Sequence, residues 1–256
     1  MIELFHWEPV SHSARVLICL HEIGIEFASR YVDLLEFEQF SDDFLKMNPL
    51  GQVPVLRDGD TVLTESSLIN EYLAETRPDA ALAPSDALGW YRVQTWSKYV
   101  DYNLASSLAT LGCRKHLVKW LQKQDRKNLR KRIEAIPVAE RRPGWQVAAD
   151  NSYGDDMIGN SERKLSLVVA RMEKILADNR WLVGDSYSIA DIDTFAMLRS
   201  LKELAPNIVN EESAPATLDW LGRISARPAV RKVDEKYGRF EPGTAFAPGP
   251  EHSRWG

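Results

Sequence analysis

Three short segments hold the residues whose types and spacing suit chemistry. The first is Glu8-Pro9-Val10-Ser11-His12-Ser13-Ala14-Arg15, a turn leading into a helical pattern, where Ser11 and Ser13 are both able to cap the helix. Either hydroxyl could meet a thiolate. A thiol with a pKa near ~8.5 is only a few per cent ionised at neutral pH; a serine hydroxyl plus the positive helix end lowers that by ~2 units, worth ~2.7 kcal/mol. Alone, such a serine is usually a cap and nothing more. The second segment is Gly51-Gln52-Val53-Pro54-Val55-Leu56, with a proline at the mouth of a strand, a position that often marks a cis bond. A cis Val53-Pro54 peptide turns the Val53 main chain outward as a pairing edge for an extended peptide; the plainer reading is an edge strand opening with proline. In the third, Thr64-Glu65-Ser66, Ser66 begins a helix whose N-terminus suits a carboxylate, and Glu65 beside it suits an ammonium group. Together they complement the two ends of an α-amino acid, although a simple helix cap has the same look.

The elements that must position these segments follow from periodicity. Strand-like runs at Ile2 to Trp7, Phe27 to Val32, Val53 to Leu56 and Thr61 to Thr64 alternate with helical patterns at Ser13 to Ile23 and Ser66 to Thr76. A helix joins the first two strands, so they can be parallel, whereas only Arg57-Asp58-Gly59-Asp60 joins the last two, which predicts a hairpin in a four-stranded mixed sheet. Prolines and small residues over 79–87 then break both periods. The remainder reads as helical: Leu88 to Lys119, Leu121 to Arg132, Met157 to Ala177, Ser188 to Leu204, Thr217 to Ser225 and Pro228 to about Lys236. Residues 136–156, with Pro137, Pro143 and Gly144, predict an irregular insertion, and 241–256 a tail of limited order. The expected organisation is an α/β domain over 1–78, a linker over 79–87 and an all-α domain over 88–240.

The 256 residues suffice for a large core without a covalent staple. At 44% hydrophobic, 27% charged and a net charge of −5, the chain offers no surface for a polyanion, so nucleic acid is not an expected partner. The basic run Arg126-Lys127-Asn128-Leu129-Arg130-Lys131-Arg132 reads as a solvated helix face. Cys19 and Cys113 lie in apolar stretches without metal-ligand spacing; no metal site is expected, and two buried thiols suit a reducing compartment. The start Met1-Ile2-Glu3-Leu4-Phe5-His6-Trp7 lacks the pattern of a signal peptide and no apolar run approaches the ~20 residues of a membrane span, so the expected location is the cytoplasm.

Taken together, the β-α-β-β-β-α order without a redox Cys-x-x-Cys, the Asn48-Pro49-Leu50-Gly51-Gln52-Val53-Pro54 loop, the Thr64-Glu65-Ser66 corner and the switch to helices resemble the glutathione S-transferase superfamily. So do Ser188-Ile189-Ala190-Asp191, similar to that superfamily's buried capping box, and Arg227-Pro228-Ala229-Val230, a family-like helix start. The resemblance implies a thioredoxin-like N-terminal domain that holds glutathione as co-substrate and an all-α C-terminal domain that holds an apolar second substrate. It implies that the Val53 main chain pairs with the cysteine of glutathione, that Glu65 and Ser66 hold the γ-glutamyl end with help from Gln52, and that Gln39, with Lys46 beyond it, lies near the glycyl carboxylate. Ser13 is the first choice for the thiolate-stabilising residue and Ser11 the second. A dimer across the domain junction, with an identical or closely related chain, is implied as well, with Asp101 reaching toward the glutathione of the other subunit.

Within the superfamily, Phe37-Glu38-Gln39-Phe40-Ser41-Asp42, the Pro49 to Pro54 loop, and Ile136-Pro137-Val138 followed by Trp145 resemble the bacterial lignin β-aryl-etherases. These enzymes use glutathione to cleave the ether of lignin-derived dimers with a ketone on the adjacent carbon. His12 stands where similar etherases commonly have an asparagine. The leaving phenolate needs a hydrogen-bond donor, with His12, Tyr102 and a bound water as candidates. Trp96, Tyr99, Tyr102, Leu108, Leu111, Trp120 and Trp145 are candidates for an aromatic-binding wall, though most are expected in the core. Two other readings are a glutathione enzyme that reduces peroxides or disulfides or conjugates other electrophiles, and a ligand-binding subunit without turnover.

Overall fold

The computed structural model describes residues 1–241 and 244–249. Its first half is built around β1 (Ile2–His6), β2 (Phe27–Tyr31), β3 (Val55–Asp58) and β4 (Thr61–Leu63), in the order β2-β1-β3-β4. β1 and β2 are parallel, β1 and β3 antiparallel, and β3 and β4 form the expected hairpin. Leu4 faces Leu56 across the centre of the sheet and both are fully buried. Helix α1 (His12–Glu22) supplies the crossover, the short α2 (Asp42–Met47) follows β2, and α3 (Ser66–Thr76) closes the sheet. Every residue of α1 from Ser13 to Leu20 is buried because α1 is covered on several sides. It packs on α3 and on two helices of the second half, α10 (Ile189–Leu198) and α13 (Pro228–Tyr237). One continuous apolar core thus runs from Leu4 and Leu17 to Phe195 and Trp220.

No strand follows Leu63 among the described residues. The helix expected from Leu88 is a rod from Ala87 to Leu121, made of α4 (Ala87–Val100), α5 (Ser106–Gly112) and α6 (Val118–Leu121) joined by π-helical turns at Asp101–Ala105 and Cys113–Leu117. Such widened turns leave no mark in hydrophobic periodicity, and they cluster at functional sites. The next helix starts five residues later than expected: Asp125 accepts from the Lys127 and Asn128 amides and fixes α7 at Arg126–Glu134.

The structure corrects two expectations. The segment expected to be irregular contains α8 (Arg142–Asp150), with Pro143 in its first turn, where a missing N–H costs nothing, and Asn151 in the left-handed region as its stop. The expected loose tail instead packs between Gly249 and Thr244, with Ala245 and Phe246 buried against the helical domain. A Cβ on Gly112 would stand 2.1 Å from the Phe246 ring, and one on Gly144 would stand 2.8 Å from Pro248. The glycines leave the room these residues fill. The rest of that expectation, at 242, 243 and 250–256, lies outside the described residues.

Helix α9 (Asp155–Leu176), α11 (Leu201–Leu204) and α12 (Pro215–Ser225) complete the second half. The expected Ser188–Asp191 capping box opens α10. The Asp191 carboxylate accepts from the Leu182 and Ser188 amides and from the Trp220 indole N–H. Burial pushes its pKa up to about 6. Asp191→Ala leaves three buried donors without an acceptor, each worth about 1 kcal/mol or more, so a loss of about 3 kcal/mol is expected in urea unfolding at pH 7.5.

Candidate active site

Two cavities meet where the sheet domain faces the helical rod. One is polar and is lined by Arg15, Pro54, Glu65, Ser66, Asp101 and Lys98 among others. The other is mainly apolar, with Trp7, Leu108, Trp145, Met197 and Phe246 in its wall and Ser11 at its edge. His12, Gln52, Val53 and Ala105 line both.

The polar cavity is shaped by two corners. Val53-Pro54 is cis. The preceding loop is pinned by Asn48, which donates to the Gln52 carbonyl (2.9 Å) and accepts from the Leu50 amide (3.1 Å). Gly51 turns there at φ 60°, with the Phe40 ring 2.6 Å from where a Cβ would stand, so no other residue fits. At the second corner Glu65 has φ 68°, an unfavourable conformation for a residue with a side chain, held just before α3. Ser66 follows as the first helical residue, largely buried, with Oγ 3.3 Å from Arg15 Nη1 and 3.4 Å from His12 Nδ1.

Behind Ser66 lies a charge network that sequence reasoning missed. Arg15 is 1% exposed, forms an ion pair with Asp101 (2.7 Å) and donates from Nε to the Asp193 carbonyl (3.1 Å). Burial works against its charge, but Asp101 and Asp193 more than offset this and hold its pKa above the usual arginine value. The Asp193 carboxyl accepts from Asn70 Nδ2 (2.7 Å) and the Ser97 hydroxyl (3.4 Å); burial pushes its pKa up to about 7 against the pull of Arg15. Charges inside the apolar runs Ala14-Arg15-Val16-Leu17 and Ile192-Asp193-Thr194-Phe195 were the available signal.

The two serines occupy different surroundings. Ser13 is fully buried, lines neither cavity, and its Oγ accepts the Trp7 amide at 2.9 Å. Ser11 is the N-cap of α1, accepts from the Ser13 amide and donates to the Glu8 carbonyl (2.8 Å), and it borders the apolar cavity. Rotation of that O–H toward an arriving anion leaves the cap intact. Burial, then the nearby Arg15 charge, push the His12 pKa down to about 4, so the ring is neutral at pH 7. Its contribution to stability is therefore complete above about pH 6.5 and is lost as pH falls toward 4. Wild type should lose about 2 kcal/mol through this group between pH 7.5 and 5, a loss absent from His12→Asn when both are unfolded in urea at the two pH values.

Other expected positions fall in several places. Gln39 lines the apolar cavity near Gln52, with Oε1 lacking a partner among the described residues. Lys46 pairs with Asp43 and lines neither cavity. Asp101 is tied to Arg15 of its own chain. Of the expected aromatic wall, Leu108 and Trp145 line the apolar cavity and Tyr102 the polar one. Trp96 is in the core, bonded to Thr194 (2.8 Å).

A polar cleft at the Val53-Pro54 corner, opening onto an apolar pocket walled by the helical domain, is the arrangement expected above for a glutathione-dependent transferase. The chain belongs to the glutathione S-transferase family: residues 11–76 match the model of its N-terminal domain and 144–228 that of its C-terminal domain. It is 34% identical over 244 residues to Protein LigF of Sphingobium sp. (strain NBRC 103272 / SYK-6), covering 93% of this chain and 95% of LigF. The crystal structure of beta-etherase LigF superposes with a TM-score of 0.86 over 92% of this chain and 99% of that one. The structure of glutathione transferase F7 from Populus trichocarpa, 26% identical, superposes with a TM-score of 0.71 over 96% and 100% of the two chains. A probable glutathione S-transferase GSTF1 of Oryza sativa subsp. japonica is 27% identical over 91% of this chain and 94% of its own.

Proposed function

We propose that the protein is a glutathione-dependent β-etherase acting on aromatic ethers that carry a ketone beside the ether carbon. The observation that carries this reading is the junction of the two cavities at His12 and Val53, with the Ser11 cap bordering the apolar side. The name and activity of LigF support it.

Glutathione is the co-substrate. Its extended main chain pairs with Val53, its γ-glutamyl end meets Glu65 and the start of α3, and its glycyl end lies toward Gln39, at the edge shared with the apolar cavity. The thiol then faces the apolar cavity beside Ser11 and His12. The helix end and the Ser11 O–H stabilise the thiolate, while the His12 ring, neutral at pH 7, adds no charge to that stabilisation. The thiolate electron pair forms the new C–S bond, and the C–O pair leaves on the aryloxide, which takes up a proton as it becomes a phenol. The adjacent ketone lowers the barrier at that carbon. The protein contributes orientation and exclusion of water, of which orientation is worth as much as ~7 to 11 kcal/mol.

Leu68, Leu88, Tyr91 and Tyr102 are exposed on α3, α4 and the π-helical turn after it, an apolar surface suited to a second copy of this or a related chain. No helix among the described residues is long and apolar enough to cross a membrane. Cys19 and Cys113 are both buried and neither is in a disulfide, which suits the reducing cytoplasm where glutathione is abundant.

The test is release of a fluorescent phenol from an α-keto β-aryl ether with and without glutathione, followed by identification of the thioether. Ser11→Ala should raise the bound thiol pKa by about one unit and lower kcat/KM about tenfold at pH 7, with less effect at pH 9. Ser13→Ala should act through stability and the placement of Trp7. Glutathione binding without phenol release from any ether overturns the etherase reading and moves it to conjugation or reduction of other substrates.

A further inference from the structure

Trp7 lies at the end of β1 with 1% of its surface exposed, in the wall of the apolar cavity. Its indole Nε1 is buried and has no hydrogen-bond partner among the described residues. The contrast with two other buried tryptophans is instructive. Trp96 donates to Thr194 (2.8 Å) and Trp220 to Asp191 (2.9 Å), and neither lines this cavity. A buried indole N–H left unpaired is unfavourable unless a ligand supplies the acceptor.

The main chain around Trp7 is fixed firmly. Its amide donates to Ser13 Oγ (2.9 Å), and its carbonyl is 2.8 Å from His6 Nδ1, while His6 Nε2 is 2.7 Å from Ser29 Oγ. Ser13 therefore acts as a positioning residue for this ring. Val10, Leu34 and Leu108 stand in the same wall, whose polar members are Ser11, His12, Gln39, Gln52 and Arg141; none of these bonds the indole N–H, which leaves it to an oxygen of the ligand.

We propose that the Trp7 indole N–H donates a hydrogen bond to the ether oxygen of the aromatic substrate and stabilises it as it departs as an aryloxide. This rests on the β-etherase reading above. Indole is a donor only, so it selects an acceptor oxygen. As the C–O bond breaks, the oxygen gains the electron pair and the hydrogen bond strengthens, which makes Trp7 a catalytic residue rather than only a wall. The benefit grows with the basicity of the leaving phenolate.

Trp7→Phe keeps the aromatic packing and removes the donor. Its kcat/KM should fall roughly 30-fold for an ether that releases 2-methoxyphenol and less than threefold for one that releases 4-nitrophenol, a far better leaving group. An equal loss for both, or no loss, overturns the proposal. A second measurement needs neither turnover nor a folded variant for its result. In 15N spectra of the wild-type protein saturated with glutathione, addition of 2-methoxyphenol should move the Trp7 indole N–H resonance downfield more than any other. Absence of that shift overturns the proposal. If wild type releases no phenol from any ether, the etherase reading fails on its own account, while the indole shift still decides whether Trp7 binds a phenolic oxygen.

Discussion

Arg15→Met should lower the unfolding free energy by about 3–5 kcal/mol, the range for removing one member of a buried ion pair. Methionine fills a similar volume, so the loss comes from charge. The guanidinium is bonded to Ser66 Oγ and the Asp193 carbonyl and paired with Asp101. Asp101 is 40% exposed and recovers part of its hydration, whereas Asp193 is enclosed. Without Arg15, only the Asn70 and Ser97 hydrogen bonds oppose the burial that already pushes Asp193 up to about 7, and its pKa must rise further. An acid with a raised folded pKa favours the folded state at low pH and loses that advantage as pH rises. The deficit of the variant should therefore be larger at pH 8 than at pH 5.5 in urea titrations. A deficit independent of pH would mean that packing, not the carboxylates, dominates. The same substitution removes the backing of Ser66, so the KM for glutathione should rise in parallel.

How far the sequence led depended on whether a feature was local. The strands, the hairpin and α3 from Ser66 to Thr76 follow from periodicity and turn residues that act over a few positions, and the structure has them. The Ser188–Asp191 box was legible for the same reason: both members lie within one helical turn. By contrast, the bond from the Trp7 amide to the Ser13 hydroxyl is a contact across six residues of turn that spacing does not specify. Asp193 and Asn70 are 123 positions apart and meet only because α10 lies against α1 and α3. The proline-containing segment looked irregular because Pro143 breaks a helix interior, yet it suits a helix start, and only the position of the preceding turn distinguishes these. The tail looked loose because prolines and glycines dominate it. Its order comes from the gaps at Gly112 and Gly144, more than a hundred residues earlier in the chain.

That tail leads to the other large effect. Ending the chain after Glu241 removes Ala245, Phe246, Ala247, Pro248 and Gly249 from the wall of the apolar cavity and leaves the polar cavity with all its lining residues. Phe246 is 8% exposed and stacks on His116 with ring centroids 5.6 Å apart, so it is anchored as well as enclosed. If the segment covers roughly 100 Å² of an aromatic substrate, its loss at about 25 cal/mol per Å² weakens binding by about 2.5 kcal/mol, or roughly 70-fold in kcat/KM for the ether. The KM for glutathione should change less than twofold. Gly112→Ala separates this from any general effect of shortening: the new methyl group displaces the Phe246 ring, so activity toward the ether should fall, while the packing lost with that ring is partly offset by the helix preference of alanine, about 1 kcal/mol. Steady-state kinetics with each substrate varied in turn distinguish the outcomes. Equal changes in both KM values would mean that the segment supports the whole site, whereas a change confined to the ether assigns it to the wall of that pocket.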